Sequence, residues 1–152
     1  MGADHRGVGL KDALKAALVE QGHHVDDLGT HSTDSVDYPD IAGDVARAVA
    51  QGNDQCGILV CGTGIGMSIS ANKVHGVRAA VVSETTSARL ARQHNNANVV
   101  CMGAEIVGLG LARDIVETFL ATQFEGGRHQ RRVDKIQALD DRGAAAKAGD
   151  RK

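Results

Sequence analysis

Tryptophan is absent from the chain, and one Tyr and two Phe are its only other ring-bearing hydrophobes. Surfaces that bind single-stranded nucleic acid stack bases on aromatic faces, so this chemistry is excluded. Basic charge in excess is missing too: 17 Lys and Arg against 19 Asp and Glu leave a formal net charge of −2. No positive field therefore exists to attract nucleic acid or an anionic membrane. No apolar run approaches the roughly 20 residues that span a bilayer. The N-terminus lacks the charged-then-apolar layout of a signal peptide. The three cysteines are odd in number and none is in a Cys-x-x-Cys arrangement, which excludes a disulfide framework and a zinc ribbon. A soluble protein of a reducing, cytoplasmic compartment is expected.

What the sequence does have is alternation. With 152 residues it makes one domain with a proper core. Leu10, Leu14, Ala17 and Leu18 mark one helical face, which Gly22 ends. His23 to Leu28 reads as a strand, and 29–40 as a loop carrying the only proline, Pro39. Ile41, Val45 and Val49 mark the next helix, closed by Gly52. Val77 to Val82 reads as a buried strand, followed by Ser83 as a helix N-cap and a helix to about His94. Asn98 to Met102 is the last strand, Leu109 to Thr122 an amphipathic helix, and Arg128 to Leu139 a short final helix. With the N-terminal strand and the one ending at Cys61, the pattern predicts an α/β fold. Its form is a three-layer α/β/α sandwich around a five-stranded parallel, Rossmann-like sheet. Residues 1–140 form the domain. The Ala, Gly and charge of 141–152 bury nothing and are expected to be a disordered tail.

The chemistry gathers at Gly57-Ile58-Leu59-Val60-Cys61-Gly62-Thr63-Gly64-Ile65-Gly66. An apolar strand there runs into alternating glycines and then a helix, the place where ligands bind in open α/β sheets. Glycine lets the backbone approach a ligand closely and aim several amide N–H groups at an anion. A Walker A loop would need Gly-Lys-Ser/Thr where Gly66-Met67-Ser68 stands, and a dinucleotide fingerprint would need glycine at Met67. Neither is present. A buried cysteine is more often a small hydrophobe than a nucleophile. Position and glycine context weigh the other way for Cys61, because a helix N-terminus favours the thiolate. Asp4-His5 follows the first strand, and His94-Asn95 follows a helix. Arg128 and Arg132 are four apart, on one helical face, and able to grip one phosphate together. Singly, each has a plainer reading as cap, dipole complement or solvated surface pair.

Taken together these motifs resemble the type B ribose-5-phosphate isomerase family, which includes isomerases of allose and galactose 6-phosphates. The residues that carry the resemblance are Asp4-His5, Asp37-Tyr38-Pro39, Cys61 to Gly66, Arg92-Gln93-His94-Asn95 and Gly126-Gly127-Arg128-His129-Gln130 with Arg132, in order over about 2–140. It implies an aldose-ketose isomerase of ribose 5-phosphate and ribulose 5-phosphate in pentose phosphate metabolism. Cys61 is then the proton-abstracting base, His94 the ring-opening acid/base and Thr63 a hydroxyl donor to the intermediate. Asp4, His5, Gly62, Thr63, Gly64, Ile65, Gly66 and Asn95 are then substrate contacts, and Arg128 and Arg132 the phosphate grip. The resemblance also implies no metal or cofactor, and a homodimer, or a tetramer, whose active sites draw on both chains.

The chemistry is consistent with these roles. Moving a proton between C1 and C2 passes through an enediolate, whose oxyanion needs prepositioned donors. An imidazole suits proton exchange on the ring oxygen near neutral pH.

Two departures stand out. Family members carry further apolar residues ahead of the Asp-His pair, and strands ordinarily run about 5–6 residues, so the first strand is expected to be a stub. Members also often place an arginine where Glu105 stands. A carboxylate there repels phosphate, which leaves Glu105 outside the expected site. The alternatives are a six-carbon sugar-phosphate isomerase, a non-catalytic sugar-phosphate-binding subunit, and a regulatory module. Retention of both Cys61 and His94 opposes the subunit, and the missing effector domain opposes the module.

Overall fold

The computed structural model describes residues 1–149, with side chains described through Asp141. The expected tail therefore falls, from 142 on, outside the residues whose side chains are described. Four strands, β1 (Gly2–Ala3), β2 (Gly57–Cys61), β3 (Ala79–Val81) and β4 (Val99–Gly103), form one parallel sheet in the order β1-β2-β4-β3. Among the described residues there are six helices: α1 (Val8–Glu20), α2 (Tyr38–Ala50), α3 (Ile65–Ala71), α4 (Thr85–Asn95) and α5 (Leu109–Ala121), which cover the two faces of the sheet, and α6 (Gln130–Gly149), which contributes to neither core layer.

The sandwich is as expected, but the sheet has four strands rather than five. Residues 23–28 are not a strand. They still run along β1, with Leu28 N–H donating to Met1 O (2.8 Å) and the Met1 amino group to Asp26 O, and just beyond them Thr30 N–H donates to Ala3 O (3.0 Å). The reason is the partner. β1 is the expected stub, and two residues offer too few rungs for a regular ladder.

Period 2 along the strands sorts the core into two layers. Ile58 and Val60 of β2 and Val100 and Met102 of β4 pack with Leu14, Leu18, Ala88, Ile115, Val116 and Phe119 of α1, α4 and α5. Leu59, Cys61, Val99 and Cys101 face the other way, onto Ala42, Val45, Ala46, Met67 and Ala71 of α2 and α3. All five residues of β2 and of β4 are buried, as in a sheet covered on both faces.

Local chemistry fixes the helix ends. Gly22 and Gly52 take positive φ (88° and 77°) just past α1 and α2. Pro39 lies in the first turn of α2, where its missing N–H is not needed. For α4 the cap is Glu84 rather than Ser83, since its carboxylate accepts the N–H groups of Thr86 and Ser87 at once, the second at 2.6 Å. One hydroxyl has no match for that two-oxygen reach. Helix α6 begins at Gln130 and extends past the short helix expected there, its backbone described through Gly149.

Candidate active site

Helix α1 leaves β1 for one face of the sheet and α3 leaves β2 for the other, so a crevice opens between two adjacent strand ends. Such reversal points are where open α/β sheets bind ligands. Two of the expected motifs, Asp4-His5 and Cys61 to Gly66, meet there.

Cys61 ends β2 with 5% exposure. Its Sγ accepts the Gly64 N–H at 3.0 Å, at the point where the loop turns into α3. Gly64 takes φ +80°, and a Cβ on it would lie 2.8 Å from the Met102 backbone, so only glycine permits this turn. A Cβ on Gly66 would sit 2.6 Å from the Tyr38 ring, which packs α2 against the loop. Thr63 is exposed, its Oγ1 accepting the Ile65 N–H at 3.3 Å. The other thiols lie elsewhere: burial pushes Cys101 well above the ordinary thiol range, with the Cys61 charge adding to it, and burial raises Cys56. Position in the fold separates Cys61 from these two.

Asp4 is buried and its Oδ1 accepts the N–H groups of Arg6 (3.0 Å) and Gly7 (3.1 Å), holding the turn into α1. His5 Nδ1 accepts the Val36 N–H at 3.3 Å, so in the neutral ring the proton sits on Nε2. Glu105 stands beside this group. Its carboxylate pairs with Arg6 at 2.6 Å, and both side chains lie against Gly62.

The remaining motifs form a second cluster at the opposite, amino edge of the sheet. His94 and Asn95 end α4, just before β4 begins level with Gly57. The loop after α5 is tied there by Glu125 N–H to Gln93 O (3.0 Å) and Arg92 Nε to Thr122 O (3.3 Å). It carries Arg128, and Arg132 follows on α6. The His94 ring lies flat on the His129 ring, with centroids 4.1 Å apart and planes within 2°. Glu125 Oε2 stands 3.8 Å from His94 Nε2 and 3.5 Å from His129 Nε2. These three residues place potential metal-ligand atoms within 4.8 Å of one another. Arg128 Nε, however, donates to His129 Nε2 at 3.2 Å, occupying the lone pair a metal would use. Burial, and after it the His94, Arg128 and Arg132 charges, push His129 below the ordinary imidazole range, against the opposite pull of Glu125.

One chain thus assembles Asp4, His5 and Cys61 to Gly66 at one edge, and His94, Asn95, Arg128 and Arg132 at the other. The five residues of β2 between those edges span about 13 Å at the usual rise per residue.

Residues 1–136 match the family described as Ribose/Galactose Isomerase. The chain belongs to this family. It is 53% identical to ribose-5-phosphate isomerase B of Escherichia coli strain K12 over 93% of this chain and 95% of that protein. A solved structure of ribose-5-phosphate isomerase B from Clostridium thermocellum is 49% identical and superposes with a TM-score of 0.92, covering 93% of this chain and 95% of that one. The same enzyme from Mycoplasma genitalium, solved with bound ribulose-5-phosphate, is 46% identical with a TM-score of 0.89, covering 92% and 93%.

Beyond the residues expected from sequence, the geometry adds Tyr38, Arg6, Glu125 and His129. Tyr38 and His129 lie inside motifs that carry the family resemblance, so their neighbourhoods were visible although their contacts were not. Arg6 and Glu125 meet their partners only through the fold.

Proposed function

We propose that the protein is an aldose-ketose isomerase interconverting ribose 5-phosphate and ribulose 5-phosphate. The observation that carries this reading is Cys61, held at a strand end by the Gly64 N–H within a glycine loop, in a chain of the isomerase family. Cys61 as thiolate takes the proton from C2 of the open aldose, and the electron pair moves into a C1–C2 double bond as the aldehyde oxygen becomes the oxyanion of an enediolate. Thr63 and the loop amides stabilise that oxyanion. Transfer of the O2 proton to O1 and return of the carbon-bound proton from Cys61 to C1 give the ketose. His94 opens the furanose beforehand, protonating the ring oxygen as the anomeric hydroxyl is deprotonated. Asp4, His5, Ile65 and Asn95 contact the substrate, and Arg128 and Arg132 hold its phosphate.

The separation of Cys61 from His94 within one chain supports a homodimer in which each site takes Cys61 from one protomer and His94 from its partner. Exposed Ile65 and Ile69, four apart on α3 beside the Cys61 loop, supply an apolar face for that association. Among the described residues no helix is long and apolar enough to cross a membrane. A cytoplasmic location fits the reading.

The test is a coupled assay of ribose 5-phosphate against allose and galactose 6-phosphates. Ribose 5-phosphate is expected to give the highest kcat/KM. A six-carbon substrate turning over faster would transfer the assignment to the hexose phosphates, and no turnover of any would remove it.

A further inference from the structure

The mechanism above uses His94 and Arg128 but leaves unused the side chain that touches both. We infer that His129 is a positioning residue for both groups, its ring face fixing the His94 imidazole and its Nε2 lone pair orienting the Arg128 guanidinium. This rests on the ring-opening and phosphate-binding roles proposed for those two residues.

The geometry allows one electronic arrangement. The Arg128 Nε–H points at His129 Nε2 at 3.2 Å, so that nitrogen carries a lone pair and the proton of the ring sits on Nδ1. The same Nε2 stands 3.5 Å from Glu125 Oε2, beyond a normal hydrogen bond, as two acceptors should be. The stack with His94 adds a second constraint. Two imidazolium rings with centroids 4.1 Å apart would repel, so the pair holds at most one charge. His129 is the ring that stays neutral, since its side chain is only 9% exposed and its Nε2 accepts from Arg128. Arg128 and Arg132 oppose a charge on His129 as His94 does, and Glu125 alone favours it.

His129 is itself held in place by the fold. It is buried at 7%, its N–H donates to Gly126 O at 2.9 Å, and its own carbonyl accepts the N–H of Val133, another buried residue, at 3.0 Å. A rigid ring is thus placed between a ring-opening imidazole and a phosphate-binding cation. The spacing of these two decides whether one substrate reaches both.

Two substitutions separate the two contacts. His129→Phe keeps an aromatic face for His94 but offers Arg128 no acceptor. It is expected to raise KM for ribose 5-phosphate about tenfold, the equivalent of one hydrogen bond to a charged group, with kcat within about twofold. His129→Gln keeps an acceptor but removes the stack, and is expected to lower kcat about tenfold while KM stays near wild type. Equal changes in both variants, or none in either, would overturn the inference. Nitrogen-15 correlation spectra of the full-length wild type give a readout that does not depend on the variants folding. His129 is expected to be neutral and protonated on Nδ1 at neutral pH. A proton on His129 Nε2 would overturn the proposal. Should the wild type fail to isomerise ribose 5-phosphate, the functional reading falls, and the tautomer alone decides the inference.

Discussion

At the scale of single residues the proposed division of labour can be separated by substrate. Every aldose-ketose conversion needs the carbon-bound proton moved, whereas only cyclic substrates need opening. Erythrose 4-phosphate cannot close a furanose, because its terminal oxygen carries the phosphate. Cys61→Ala is therefore expected to abolish turnover of pentose and tetrose phosphates alike, together with solvent-proton exchange at C2. His94→Asn should cost about 10²–10⁴-fold on ribose 5-phosphate and spare most of any wild-type tetrose activity. Equal relative losses on both substrates would show that His94 acts in proton transfer or binding. The loop beside Cys61 gives a second prediction. Gly64→Ala combines positive φ with a Cβ 2.8 Å from the Met102 backbone, a strain of order 1–3 kcal/mol that moves the Gly64 N–H off Cys61. A lowered melting temperature and lost activity are expected. Gly22→Ala, at φ +88° with nothing within 4 Å, should cost only about 1–2 kcal/mol and leave kcat unchanged.

At the scale of elements, α1 is joined to the segment beside β1 by charge as well as by the apolar packing of Val25 on the Leu14 and Leu18 layer. The Lys11 side chain has 0% exposure, and its Nζ reaches Asp27 at 2.7 Å and Asp12 at 3.0 Å; Lys15 adds a contact to Asp27 at 3.1 Å. Burial disfavours charge on both partners. The hydrogen bonds more than offset it, holding Asp27 below the ordinary carboxylate range and Lys11 above the ordinary lysine range. The depressed Asp27 contributes stability that is present above its unfolded value of about 3.9 and is lost as pH falls through the lower folded value. The raised Lys11 contributes stability present below about 10.4 and lost as pH rises through the higher folded value. Asp27→Asn leaves Lys11 buried with Asp12 alone. It should cost toward the lower end of the about 3–5 kcal/mol seen when buried pairs are broken. Denaturant melts should show a constant deficit from about pH 5 to 9 that shrinks in acid. A deficit that persists undiminished at pH 2 would assign the loss to packing instead.

For the whole molecule, the distance between the two sheet edges makes shared sites a quantitative claim. In the proposed two-fold dimer each site would pair Cys61 of one protomer with His94 of the other. Co-expressed Cys61→Ala and His94→Asn chains would form half their dimers as mixed pairs. Each mixed pair has one site with both groups intact and one with neither, so about a quarter of wild-type activity should return from two inactive parents. Recovery near zero, with mixed dimers present by native mass spectrometry, would place both residues in one chain's site and refute the sharing.

The sequence alone determined the alternation of strands and helices, the burial of β2 and the turn at Cys61 to Gly66. These follow from period-2 and period-3.6 patterns and from glycine's backbone freedom, which are properties of neighbouring residues. The burial expected of Val77 to Val82 does not hold within β3, because β3 is an edge strand with Val81 47% exposed. The order of the sheet, the loss of a regular fifth strand and the cap at Glu84 depend on what stands opposite each segment. The tertiary structure alone decided that Lys11 is buried on Asp27, 16 residues away, and that Arg6 meets Glu105 across Gly62. It also decided that Cys61 and His94 lie at opposite edges of one sheet and that His129 sits under His94. Side chains far apart in sequence carry no mark of each other until packing brings them together. Parallel strands all run one way while their helices run back, so a residue's edge of the sheet is set by which end of an element it occupies.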